Sequence, residues 1–158
     1  MLNFKQLETF SKKYEKLWAD KIGGQFVEKK GNDQGADVIG PDGKIYDIKV
    51  SFPPTFIDHW KYINLEEKQG KNVGWFLDDT KTTTHYVFFN ECKGQGPERH
   101  YRELFVVERK KLKGLYEAYY DQLQGSYRKD TKERYAAQMP ILLIKSICDY
   151  YEKGDIYD

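Results

Sequence analysis

Three side chains in one short stretch have the types and spacing for chemistry on a phosphate: Asp37, Asp47 and Lys49. Two carboxylates offer hard oxygen ligands to a divalent cation such as Mg²⁺, which binds through one or two carboxylates and keeps waters for a phosphate. An ammonium beside them can hold a phosphate oxygen or a metal-bound water. The three must then share one surface, and the stretch from Gly35 to Lys49 predicts how. Pro41 suits the first turn position, where φ is about −65°, Asp42 follows in the second, and Gly43 falls where the chain turns left-handed. Such a hairpin sets Gly40 across from Lys44 and Asp37 across from Asp47. Side chains alternate along a strand, so Asp37, Ile45, Asp47 and Lys49 take one face and Tyr46, Ile48 and Val50 the other. Carboxylates directly opposed, with Cβ atoms roughly 5 Å apart, repel one another, and a bound cation removes the conflict. The competing reading is an ordinary solvated hairpin with two Asp and one Lys on its polar face.

The elements around this hairpin follow from periodicity. Residues from about Asn3 to Ile22 form an amphipathic helix with Leu7, Phe10, Tyr14, Leu17, Trp18 and Ile22 on one face, ended by Gly23 and Gly24. That helix either covers a sheet or contributes to a dimer contact. Glu15 lies at the edge of its apolar face and is expected to be solvated. Gln25 to Lys30 reads as a strand, Thr55 to Lys68 as a helix, and Val73 to Leu77, His85 to Asn90 and Leu104 to Glu108 as strands. Asp78 to Lys81 reads as a polar turn. Lys111 to Gln124 reads as a second helix, Ser126 to Arg134 as a basic loop, and Pro140 to Ile144 as a buried strand or helix before an acidic tail. The sum is an α/β or α+β fold, a mixed central sheet flanked by helices on both faces, in a single domain over 1–158.

Composition narrows the function classes. With 158 residues the chain can bury one core, and its aromatic content of 16% suits that. A net charge of +1 argues against nucleic-acid binding by bulk charge, though not against a localised cleft. Acidity gathers at Asp149, Glu152, Asp155 and Asp158. Cys92 and Cys148 fit no ligand or nucleophile pattern and suggest a reduced, cytoplasmic setting. No apolar run reaches membrane-spanning length, and the N-terminus lacks a signal peptide's apolar core. His85 and His100 have no partners at catalytic spacing, and there is no glycine-rich phosphate loop. The basic clusters Arg109, Lys110, Lys111 and Lys113, and Arg128, Lys129, Lys132 and Arg134, are candidates for phosphate contact.

The pattern of Asp37, nine residues, Asp47, one residue, Lys49 matches the PD-(D/E)xK nuclease signature in a strand–turn–strand context. From Gly35 to Lys49 the chain resembles, without a gap, a small type II restriction endonuclease of that superfamily, sharing Gly35, Asp37, Gly43, Tyr46 and Lys49. Looser likeness extends over Gly74 to Phe76, Lys111 to Asp121 and Glu152 to Tyr157. The resemblance implies a restriction-endonuclease-like fold and a homodimer that cuts both strands of double-stranded DNA with Mg²⁺, Mn²⁺ substituting. It implies metal ligation by Asp37, Asp47 and the Ile48 carbonyl, with Lys49 positioning or activating water. It also suggests a companion DNA methyltransferase in the genome. Asp47 replaces the family member's Glu, which the signature permits but which shortens the reach by one methylene.

Other positions depart from the family. Of three consecutive histidines used toward DNA only His59 is comparable, and that placement needs a gap. Ala137 and Gln138 stand for paired asparagines, although Gln138 can still pair with adenine. Gln34 replaces an acidic residue, which weakens a second metal site. His59, Gln138, Lys129 and Arg134 are thus the expected DNA contacts. Two alternatives stay open: a structure-specific nuclease of the same superfamily, acting on junctions or phage DNA, and a catalytically inactive DNA-binding member.

Overall fold

The computed structural model describes residues 4–28, 36–51, 62–93, 100–128 and 134–155. In chain order the elements are α1 (Phe4–Ile22), β1 (Gln25–Phe26), β2 (Val38–Ile39), β3 (Ile45–Ser51), β4 (Tyr62–Gln69) and β5 (Asn72–Val73). Then come β6 (His85–Lys93), β7 (His100–Glu108), α2 (Arg109–Tyr119), a 3-10 turn (Tyr120–Gln122), β8 (Gln124–Arg128), β9 (Arg134–Pro140), α3 (Ile141–Ile147) and β10 (Tyr150–Asp155). Six strands form a sheet in the order β1-β2-β3-β6-β7-β10, and four form a second sheet, β5-β4-β9-β8. In the first, β3 and β6 run parallel and the other neighbours antiparallel, so the fold is a mixed α/β one.

The central strand β6 explains the layering. Tyr86, Val87, Phe88 and Phe89 are all buried, as expected for a strand covered on both faces. Val87 and Phe89 join Tyr46, Ile48, Leu104 and Val106 beneath Tyr14, Trp18 and Ala19 of α1. The helical periodicity of α1 therefore serves the chain's own sheet. Gly23, at φ 67°, ends this helix in the left-handed conformation. On the opposite face, Tyr86, Phe88, Phe105 and Val107 meet Ile63 and Leu65 of β4, Ala137 and Met139 of β9, Leu112 and Tyr116 of α2, and Ile141 and Ile144 of α3. A second sheet thus shares that face with two helices, where helices alone were expected.

Several local expectations need correction, among them the helix expected over Lys111 to Gln124, which ends at Tyr119 before a 3-10 turn and the start of β8 at Gln124. The described part of the stretch expected as a helix from Thr55 to Lys68 is strand β4: Ile63 and Leu65 alternate with less buried neighbours and pair with β9. The strand expected over Val73 to Leu77 stops at Val73. The Gly74 and Phe76 amides instead bond back to Glu67 and Glu66 carbonyls at 2.9 and 3.0 Å. The basic loop from Ser126 to Arg134 is, where described, the paired ends of β8 and β9. The acidic tail supplies β10, which pairs with β7 from Tyr150 to Asp155, and Lys21 of α1 meets Glu152 at 2.6 Å.

Candidate functional site

The hairpin turn has the geometry its residues dictate. The Gly43 amide donates to the Gly40 carbonyl at 3.0 Å and the Gly40 amide to the Lys44 carbonyl at 2.8 Å. Asp42 Oδ1 accepts the Lys44 amide at 3.1 Å, and Gly43 takes φ 84°. Val38 pairs with Tyr46 and Ile39 with Ile45. The Asp37 amide then also donates to the Tyr46 carbonyl at 2.9 Å, so the ladder is irregular at Asp37 and the direct Asp37–Asp47 pairing expected from the turn is not kept. With Tyr46 and Ile48 in the layer beneath α1, Asp47 and Lys49 project to the other face.

Both carboxyl groups are buried, Asp37 at 2% and Asp47 at 5% exposure. Asp37 Oδ2 accepts the Ile48 amide at 2.7 Å, a charge-assisted bond that holds it across the strand. The Asp47 carboxyl lies within hydrogen-bonding reach of Asp37. Lys49 Nζ stands 3.3 Å from Asp47 Oδ1 and 4.4 Å above the centre of the Trp75 ring. Burial pushes the Asp47 carboxyl up to about 6; Lys49 pulls it down, and Asp37 pushes it up further. Two carboxyls and an ammonium thus converge on one point in a desolvated setting. Such a donor set fits a hard divalent cation, whose charge offsets both the burial cost and the repulsion.

The peptide group of Ile48 faces the same place. Within a strand, a residue's N–H and C=O point to the same edge, so the Ile48 carbonyl is directed to the Asp37 side with its amide. Glu15, expected to be solvated, is buried at 7% exposure in the sheet-facing stripe of α1 with Tyr14, Trp18 and Ala19. Its spacing from Trp18 and Ala19 puts it inside that stripe rather than at its edge.

Two aromatic neighbours escape a reading of the sequence. Trp75 lies under the Lys49 ammonium, and Tyr86 stands beside Asp47 in the parallel register of β3 and β6. Burial raises the Tyr86 hydroxyl above its ordinary value. No local pattern marks either residue, because Tyr86 meets the site through strand pairing and Trp75 through a side-chain contact, each over tens of positions.

The expected DNA contacts are distributed differently. His59, Lys129 and Gln34 lie outside the described residues. Gln138 is half-buried in β9, between Asn64 and Gln124 in register, and Arg134 begins the same strand with Nε 4.0 Å from Glu66. In the other basic cluster Arg109 donates to the Lys81 and Asp78 carbonyls at 3.0 and 2.8 Å. Lys111 bonds Asp149 at 2.7 Å and Lys113 bonds Asp79 at 2.5 Å. These cations already have intramolecular partners. His85, judged partnerless along the sequence, is brought by folding to within 4.8 Å of carboxylate oxygens of Glu108 and Asp149.

No helix among the described residues is long and apolar enough to cross a membrane. Compared with models of known protein families the chain matches none, and a search of functionally described proteins finds no significant relative.

Proposed function

We propose that the chain is a metal-dependent DNA endonuclease of the type II restriction class, with a restriction-endonuclease-like arrangement of the central sheet. The observation that carries the reading is the convergence of Asp37, Asp47 and Lys49 on one buried point. A solvated polar face would leave these carboxyls in water, whereas both are buried.

Asp37, Asp47 and the Ile48 carbonyl would hold Mg²⁺ or Mn²⁺. When bound, the ion lowers the pKa of its water and stabilises charge on the phosphoryl oxygens during in-line displacement. The protein's own part is positional. The Ile48 amide fixes Asp37, strand β3 carries Asp47 within hydrogen-bonding reach of it, and Asp47 is ionised at neutral pH because its value of about 6 lies below 7. Lys49, supported on Trp75, directs its ammonium at the attacking water or a phosphate oxygen. Gln138 and Arg134 on β9, together with His59 and Lys129, are the groups assigned to bases and phosphates.

Incubation of purified protein with a panel of linear and supercoiled DNAs in Mg²⁺ or Mn²⁺ tests the reading. Discrete fragments are expected, and Asp37→Ala or Lys49→Ala should each reduce cleavage by at least about a hundredfold, the usual scale for losing such a group. Intact DNA across the whole panel with both metals overturns the proposal. Cleavage confined to branched DNA moves it to the structure-specific alternative.

A further inference from the structure

The second charged cluster lies on the opposite face of the central sheet from Asp47. His85 opens β6 and pairs in register with Glu108 at the end of β7. Asp149, just before β10, is tied to β7 from both sides: its amide donates to the Val106 carbonyl at 2.8 Å, and its Oδ2 accepts the Glu108 amide at 3.2 Å. One ring nitrogen of His85 and one oxygen each from Glu108 and Asp149 lie within 4.8 Å of one another.

His85 is 9% exposed and packs on Tyr46, with ring centres 5.5 Å apart. One edge of its ring is tied to Thr84. The Thr84 hydroxyl accepts the Ile45 amide at 2.9 Å and lies 3.1 Å from the Ile45 carbonyl, which also accepts the Thr84 amide at 2.9 Å. The same hydroxyl hydrogen-bonds His85 Nδ1 at 2.8 Å and so fixes the ring's orientation. Nε2 has no hydrogen-bond partner among the described residues, and in the tautomer with the proton on Nδ1, accepted by Thr84, it offers a lone pair to a metal. A ring oriented by a bond at one nitrogen and free at the other is the arrangement that metal-bound histidines have. His85 and Glu108 also line a pocket of about 380 Å³, bordered by Thr83, Arg109 and Lys113. The ring therefore sits on the pocket wall with one nitrogen tied to Thr84 and the other facing no protein partner among the described residues.

We propose that His85, Glu108 and Asp149 form a second divalent-metal site, separate from the hairpin carboxylates. One imidazole and two carboxylates suit a borderline cation such as Zn²⁺ or Mn²⁺ rather than Mg²⁺. Three protein ligands leave coordination positions open toward the pocket. Bonds of 2.0–2.2 Å put tetrahedral ligands about 3.3 Å apart, so the three side chains close by about 1.5 Å at most on binding. The Lys111 ammonium, 2.7 Å from Asp149 Oδ1, competes for that oxygen. Lys111 is half-exposed and held by a surface ion pair, so its displacement costs little.

The test uses the full chain carrying Asp37→Asn and Asp47→Asn, which removes the hairpin site, with Zn²⁺ and Co²⁺ as probes. Dialysis and elemental analysis should give one zinc per chain, and Co²⁺ should give visible d–d absorption. Adding Asp149→Asn, which keeps an acceptor for the Glu108 amide, should weaken zinc at least about tenfold, no less than loss of an outer-shell group does. His85→Asn should abolish the cobalt spectrum. Lys111→Met should tighten zinc, a change that a purely structural role for the cluster would not produce. The inference is overturned by no saturable zinc binding at millimolar metal, by zinc affinity unchanged in Asp149→Asn, or by loss of binding on removing the hairpin carboxylates alone.

Discussion

At the scale of single residues, Asp47 carries a cost that a cation relieves. Its value of about 6 in the folded chain stands above the 3.8 of a free side chain, chiefly through burial. Folding therefore takes up a proton between about pH 4 and pH 6. Stability contributed by this group is greatest below that window, falls as pH rises through it, and is level above it. Two consequences are measurable by thermal or urea unfolding. In metal-free buffer at pH 7.5, Asp47→Asn should be more stable than the native chain by about 1–2 kcal/mol, as the removed charge was buried beside another carboxylate. Added Mg²⁺ should raise the unfolding midpoint of the native chain and not that of the variant, and this increment should fade below pH 6 as Asp47 protonates. A native chain that Mg²⁺ leaves unmoved at pH 7.5 would remove the metal from the hairpin.

At the scale of elements, glycine separates close approach from mere propensity. A Cβ on Gly74 would lie 2.4 Å from the Glu66 carbonyl oxygen and 2.6 Å from its carbon, where backbone cannot yield cheaply. Gly74→Ala should cost about 2 kcal/mol or more and disturb the seat of Trp75 under Lys49. Gly114, inside α2, would place its Cβ in open space, so Gly114→Ala should stabilise by up to about 1 kcal/mol. Chemical denaturation of the pair checks both signs, and equal stabilities would contradict the packing assigned to Gly74. The same contrast explains what the sequence made legible. The turn was readable to the residue, since Pro41, Asp42 and Gly43 set the pairing from Gly40 and Lys44 out to Val38 and Tyr46, while the irregular bond of the Asp37 amide to the Tyr46 carbonyl was not. Helix α1 was readable because its stripe repeats over five turns. Strand β4 was not: Ile63 and Leu65 suit a helix or a strand, and pairing with β9, some seventy residues away, decides between them. Trp75 and Phe76 look like strand residues until Gly74 forces the chain against β4. The His85, Glu108 and Asp149 cluster was invisible for a related reason, since three strand ends separated by tens of residues must be aligned before it exists.

At the scale of the molecule, the proposed homodimer cannot use the Tyr14, Trp18 and Ala19 side chains of α1. Tyr14, Trp18 and Ala19 are consumed by the chain's own sheet, and Lys21 ties the end of the helix to Glu152 of the edge strand β10. A dimer contact must use other surface, and Leu142 of α3, 77% exposed, and Val73, 60% exposed, are the most exposed large apolar side chains among the described residues. The number of chains at the DNA determines the form of the product. On the proposed nuclease reading, one hairpin centre would hold one scissile phosphate, so concerted cutting of both strands would require two copies related by a twofold axis and a palindromic target. Light scattering should therefore give twice the chain mass of 18.7 kDa. Supercoiled plasmid should pass to linear form with little nicked circle between. Should the protein instead weigh as a single chain and leave nicked circles as its end product, each centre acts alone. The hairpin chemistry would then stand, while the palindromic, double-strand part of the proposal would fall.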